Sequence, residues 1–100
     1  MDDQRFELDV SGWINSPPVD MSDLLGTVVF IEAFQMLCPG CVSHGIPQAQ
    51  RVARAFTRSE VVVLGIHTVF EHHDVMGRDA LAAFVSEYKI RFPVAIDRPV

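Results

Sequence analysis

Basic charge is scarce: Lys89 is the single lysine among eight basic residues, no cluster of them occurs, and the net charge is −5. A phosphate backbone finds no electrostatic footprint here, so nucleic acid is not expected as a partner. Long hydrophobic runs are missing too. Runs such as 28–31 and 61–66 are far too short to cross a bilayer, and no membrane segment is predicted. The opening Met1-Asp2-Asp3-Gln4-Arg5 lacks the basic-then-apolar order of a signal peptide. As written the chain reads as cytoplasmic, and as extracytoplasmic if it is a trimmed form. Only two cysteines are present, which excludes a multi-bridge scaffold. In a reducing compartment such a pair points to redox chemistry or metal rather than to a structural staple. No internal repeat and no low-complexity segment occurs.

What is present is a chain of 100 residues, 49% hydrophobic and 21% charged, sufficient for one small globular domain with one core. A domain of this size buries a modest fraction of its surface, so the loss of one strand would matter to its stability. Residues 1–10 are polar and read as a lead-in or a short edge strand. Residues 13–18 read as a short extended piece stopped by Pro17 and Pro18. Residues 27–34 are β-branched and aromatic with no polar break before Glu32, which predicts a strand buried on both faces and central in a sheet. A helix follows from about Val42 to Thr57, with Ile46, Ala49, Val52, Ala53 and Phe56 as its apolar face and Arg51, Arg54 and Arg58 on the solvated side. Pro47 should kink it. Residues 61–67 predict a second buried strand and 68–74 a polar loop. Residues 78–88 predict a second amphipathic helix with Leu81, Phe84, Val85 and Tyr88 inward, and 92–97 a third strand. Strand, helix, strand, helix, strand is the order of an α/β domain with a partly parallel sheet.

Between the first strand and first helix lies Cys38-Pro39-Gly40-Cys41. Pro39 suits the first helical position, where its missing N–H leaves nothing unpaired. A helix N-terminus presents unpaired N–H groups and a positive dipole end that stabilise a thiolate. This is the setting dithiol–disulfide exchange needs.

Trp13-Ile14-Asn15, the 23–26 turn, the 28–34 strand, the Cys-Pro-Gly-Cys motif, the helix with Pro47, and the segments 61–68 and 92–97 together resemble thioredoxin-like, TlpA/redoxin-type thiol–disulfide oxidoreductases. The likeness covers residues 13–97. It departs from the family pattern in three places. Leu37 stands where a tryptophan usually precedes the first cysteine, and Phe34 stands at the aromatic position earlier at that strand end. Pro47 falls one residue later than is common, which predicts a local bulge in the first helix. The family's cis-proline loop, last two strands and final helix would follow Asp97. Residues 1–100 are therefore read as a single, incomplete thioredoxin-like domain truncated after the 92–97 strand.

The resemblance implies an enzyme that exchanges disulfides with protein substrates and a redox partner, with no cofactor. Cys38 would be the helix cap and nucleophile, its pKa lowered from roughly 8.5 toward about 3.5–7.5. Cys41, one turn on and more buried, would resolve the mixed disulfide. Pro39 and Gly40, with Phe34 and Leu37, would tune the pair. An acidic or amide residue lies under the dithiol in the family, which makes Glu32 a proton acceptor for Cys41 with a raised pKa. Two other readings stand beside this one. Cys38 and Cys41 with a histidine, His44, His67, His72 or His73, could serve a metal-binding or metal-delivery protein for copper or zinc. The fold could also be a non-catalytic binding module. His67, ending a buried strand, is read as a structural histidine that fixes a loop, and Trp13 as a core or near-site packing residue. An uncovered sheet edge would favour self-association.

Overall fold

The computed structural model describes residues 7–98. Four strands, β1 (Val10–Ile14), β2 (Val28–Phe34), β3 (Val61–His67) and β4 (Val94–Asp97), form one sheet in the order β1-β4-β3-β2. β2, β3 and β4 run parallel, and β1 is antiparallel to β4. Two helices, α1 (Ile46–Ala55) and α2 (Arg78–Glu87), make the crossovers from β2 to β3 and from β3 to β4. Parallel neighbours require such crossovers, and the run of β-branched residues in β3 suits a strand paired on both sides.

Register decides which residues share a face. Phe30, Glu32 and Phe34 align with Val63, Gly65 and His67, and Gly65 in turn with Val94. On this face Phe34, Val63 and Val94 meet Ile46 and Ala49 of α1 and Leu81 and Val85 of α2, with Ile90 and Phe92 closing the core. Burying each such aliphatic or aromatic side chain contributes about 1.5–3 kcal/mol. Asn15, in the left-handed region at φ 74°, donates its amide to the carbonyls of Ile90 (2.7 Å) and Phe92 (3.1 Å), holding the approach to β4 against the end of β1. α2 stops in a Schellman turn: Lys89 takes the left-handed conformation, its N–H bonds Ser86 and the N–H of Ile90 bonds Val85.

Three expectations are corrected. β2 pairs only with β3 among the described residues, so it is an edge strand rather than a central one, and Val28 is 63% exposed. The inward stripe of α2 ends before Tyr88, which caps the helix and is half-exposed with its ring against Phe84. α1 ends at Ala55; Ala53 is exposed, and Phe56 is extended and largely in solvent, because only the first turns of the helix lie over the sheet. The expectation for residues 1–6 lies outside the described residues. Elsewhere β3 spans the predicted residues, and the bulge expected before Pro47 is present as a π-helix over Cys41–Gly45.

Gly65 sits where β3 passes beneath two rings. A Cβ there would fall 3.0 Å from Phe92 Cε1 and 3.2 Å from Phe34 Cε1, closer than packed carbons normally approach. Gly65→Ala is expected to destabilise the fold by about 1–3 kcal/mol. A urea unfolding curve should show this as a lower midpoint with an unchanged slope.

Candidate active site

β2 ends at Phe34, and a turn through Gln35, Met36 and Leu37 delivers Cys38 to the start of the helical segment, which begins at Pro39. The carbonyl of Cys38 accepts the first helical bond, from the N–H of Val42 (3.0 Å). Its side chain does the work of a cap: Sγ accepts the N–H of Cys41 at 3.3 Å. The Cys41 thiol donates to the same sulfur at 2.6 Å, and both cysteines are free. These two bonds, thiol first and then backbone, with help from the Gly40 N–H, hold the Cys38 thiol below its ordinary value. Some desolvation and the negative charge of Glu71 oppose them. Cys41 moves the other way. It packs against the core, and burial pushes its thiol up, reinforced by the bond it gives to Cys38 and by the charges of Cys38 and Glu32. A backbone hydrogen bond from Gln35 pulls slightly against this.

The helix after Cys41 is wide. Pro47 has no N–H to continue the α pattern, and the N–H of Ile46 reaches back five residues to the Cys41 carbonyl, giving the π-turn. Gly45 ends that turn directly above β2. A Cβ on Gly45 would fall 2.9 Å from Glu32 Cδ and closer still to Oε2, so any side chain there would displace the carboxylate from its place against the helix. Burial under this turn raises the Glu32 pKa.

A layer of polar side chains supports the turn from below. Gln35 is 1% exposed; its Oε1 accepts the N–H groups of Phe70 (3.0 Å) and Glu71 (3.3 Å), and its Nε2 reaches Glu71 Oε1 at 3.5 Å. His67 is also buried, lies tilted against Phe34 with ring centroids 5.3 Å apart, and accepts the Met36 N–H on Nε2 at 3.3 Å. This is the loop-fixing position expected of it. Accepting on Nε2 requires the neutral ring, and burial holds the His67 pKa below its ordinary 6.5.

Cys38, Cys41 and Glu32 are thus gathered at one end of β2. Pro39, Gly40 and Leu37 are exposed beside them, and Phe34 acts from the core. His44, His72 and His73 are exposed, and the His44 Nδ1 pairs with Ser43 Oγ at 2.7 Å. Among the described residues no three His, Cys, Asp or Glu side chains converge on a common point. Trp13 lies half-buried on β1, the opposite edge of the sheet from β2, and so packs away from the dithiol rather than near it. Arg51, Arg54 and Arg58 are exposed as expected. Gln35, Gly45 and Glu71 were missed from sequence. An amide inside the apolar 33–37 stretch and a glycine inside a helical pattern are the signals that could have marked the first two.

No protein-family model matches the chain. It is 32% identical over 92 residues to Protein DipZ of Mycobacterium bovis and of Mycobacterium tuberculosis, an alignment covering 88% of this chain and 13% of each of those proteins. Among solved structures, it superposes on a thioredoxin-like superfamily protein with a TM-score of 0.91 at 56% identity, covering 94% of this chain and 62% of that one. A thiol-disulfide isomerase from Corynebacterium glutamicum gives 0.92 at 55% identity, covering 95% and 62%. The chain therefore spans under two thirds of the length of these solved relatives and about an eighth of the DipZ proteins.

The neutral His67 makes stability depend on pH. Its lowered pKa contributes stability that is present above pH 6.5 and lost as pH falls through the lowered value. Urea midpoints of the wild type and His67→Gln, measured from neutral pH downward, should converge as the solution is acidified. A gap independent of pH would show that the imidazole proton plays no part.

Proposed function

The chain is thioredoxin-like in fold and sequence, and from that premise we propose that it is the dithiol-bearing part of a thiol–disulfide oxidoreductase acting on protein disulfides, with Cys38 as nucleophile and Cys41 as resolving thiol. The observation that carries the reading is the pair of hydrogen bonds from Cys41 onto Cys38 Sγ at a helix start. They favour the thiolate on the more accessible sulfur and keep the proton on the other.

The exchange follows from that asymmetry. The Cys38 thiolate attacks one sulfur of the substrate disulfide, forming a Cys38–substrate disulfide and expelling the other substrate sulfur as a thiolate, which takes a proton from water. Cys41 then loses its proton to the Glu32 carboxylate, whose raised pKa suits it to accept. The Cys41 thiolate attacks Cys38 Sγ, closes the Cys38–Cys41 disulfide and releases the second substrate thiol. The substrate gains two electrons and the chain loses two; the same steps run backward oxidise a dithiol. Direction is set by relative reduction potentials.

Residues 1–100 are read as one incomplete domain. The edge of β2 that no strand pairs among the described residues and the 62% coverage of the solved relatives support this.

Cys38→Ser is expected to abolish reduction of a protein disulfide in a turnover assay, and Cys41→Ser to accumulate the mixed disulfide, visible as an added mass on non-reducing analysis. Glu32→Gln should leave that adduct forming but slow its resolution by about 100-fold near neutral pH. A wild type that neither turns over nor traps substrate, yet binds zinc or copper stoichiometrically, would overturn the assignment. The free edge of β2 is expected to pair with a second copy of the chain. Solution sizing should show a concentration-dependent dimer, and a monomer at high concentration would reject the pairing.

A further inference from the structure

We propose that the Phe70–Glu71 segment, latched to the dithiol turn by Gln35, is a substrate-selecting arm that favours polypeptide disulfides carrying an apolar and a cationic side chain beside the reacting sulfur. This rests on the exchange reading above and specifies its substrate class.

Gln35 and His67 are the two buried polar side chains among the described residues, and burying the Gln35 amide is costly unless its bonds are made. All three of its side-chain bonds go to residues 70 and 71, 35 and 36 positions away in sequence. None supports the sheet. The buried amide thus has one structural effect, which is to fix the 70–71 backbone beside the turn that leads to Cys38.

What the latch holds is itself informative. Phe70 is 69% exposed, so the ring is presented to solvent rather than packed. Leu37, immediately before Cys38, is 53% exposed. Two large apolar side chains are therefore offered on the two segments that Gln35 joins, and covering them needs an apolar group on the incoming chain. The second held residue is a carboxylate. Glu71 lies near enough to Cys38 for its charge to act against the thiolate. A site shaped only to stabilise the thiolate would not place a negative charge there. A cationic residue on the substrate resolves the conflict, because it pairs with Glu71 and offsets its field at the sulfur. The other polar side chains of the loop, His72, His73 and Asp74, are exposed and leave the arm accessible.

The test uses the reduced full chain at low ionic strength and short single-cysteine peptides activated as mixed disulfides with thionitrobenzoate, whose release reports attack by Cys38. Three peptides flank the cysteine with leucine and lysine, leucine and glutamate, or serine and lysine. Each rate is divided by that of the same protein with neutral dithiodipyridine. The leucine–lysine peptide should react about three- to fivefold faster than leucine–glutamate, the size expected for one exposed charge pair, and the ratio should shrink toward one in high salt. Glu71→Gln should abolish the charge preference alone, and Phe70→Ser the preference for leucine over serine alone. Gln35→Leu, checked for cooperative unfolding, should lose both. Equal normalised rates for the three peptides in the wild type, or preferences untouched by Glu71→Gln and Phe70→Ser, would overturn the arm while leaving the exchange chemistry standing. Failure to react even with dithiodipyridine would instead remove the exchange reading, and the arm with it.

Discussion

One sulfur accepting hydrogen bonds at the start of a helix organises this molecule. Cys38 Sγ takes the N–H of Cys41 in place of the oxygen that a serine or aspartate cap would supply, and it takes the Cys41 thiol as well. Capping and reactivity are thus the same contact. The geometry that satisfies an orphan N–H also favours negative charge on the capping atom, and the thiol that gives the second bond keeps its own proton. The two sulfurs are chemically identical in sequence terms, and this contact makes them unequal.

That inequality depends on what lies beneath the second sulfur. The π-turn over Cys41–Gly45 widens the helix where Pro47 cannot supply an N–H, and it brings Gly45 down onto Glu32. The carboxylate is partly shielded from water beneath a residue with no side chain. Its raised pKa and the raised pKa of Cys41 follow from the same burial. The upward shift makes the carboxylate a better proton acceptor than an exposed one, while the upward shift of Cys41 keeps that thiol protonated beside the Cys38 thiolate.

The turn between β2 and the helix carries few bonds of its own and is held from outside. His67 accepts from Met36, and the N–H of Thr68 bonds the Phe34 carbonyl at 2.9 Å, so the end of β3 steadies the end of β2. Gln35 extends that support to Phe70 and Glu71. Strand pairing, a neutral imidazole and a buried amide together keep the cap in register with the helix it starts. The same framework places an apolar and an acidic side chain on the loop beside the turn that leads to Cys38.

Much of this was legible in the residues. Helix capping by Cys38-Pro39, the wide turn ahead of Pro47, and the strand at 61–67 are local consequences of backbone donors, ring geometry and side-chain branching, which neighbouring residues determine. The Cys-Pro-Gly-Cys motif could be assigned chemistry because it joins a strand end to a helix start, and Glu32 because the resembling family carries an acidic or amide residue at that place. Tertiary structure decided the rest. Whether the apolar β2 is central or an edge depends on which strands pair beside it, and Trp13 falls far from the dithiol because β1 joins β4 rather than β2. Gly45 matters only because the fold sets Glu32 beneath it, and Gln35 has meaning only through donors 35 and 36 residues away. The sequence by itself determined where a thiolate would be stabilised, since a helix terminus is a local object. Which residues lie beneath Cys41, hold the turn before Cys38 and stand beside it was decided by folding, since each of those contacts joins segments that periodicity and capping rules cannot relate.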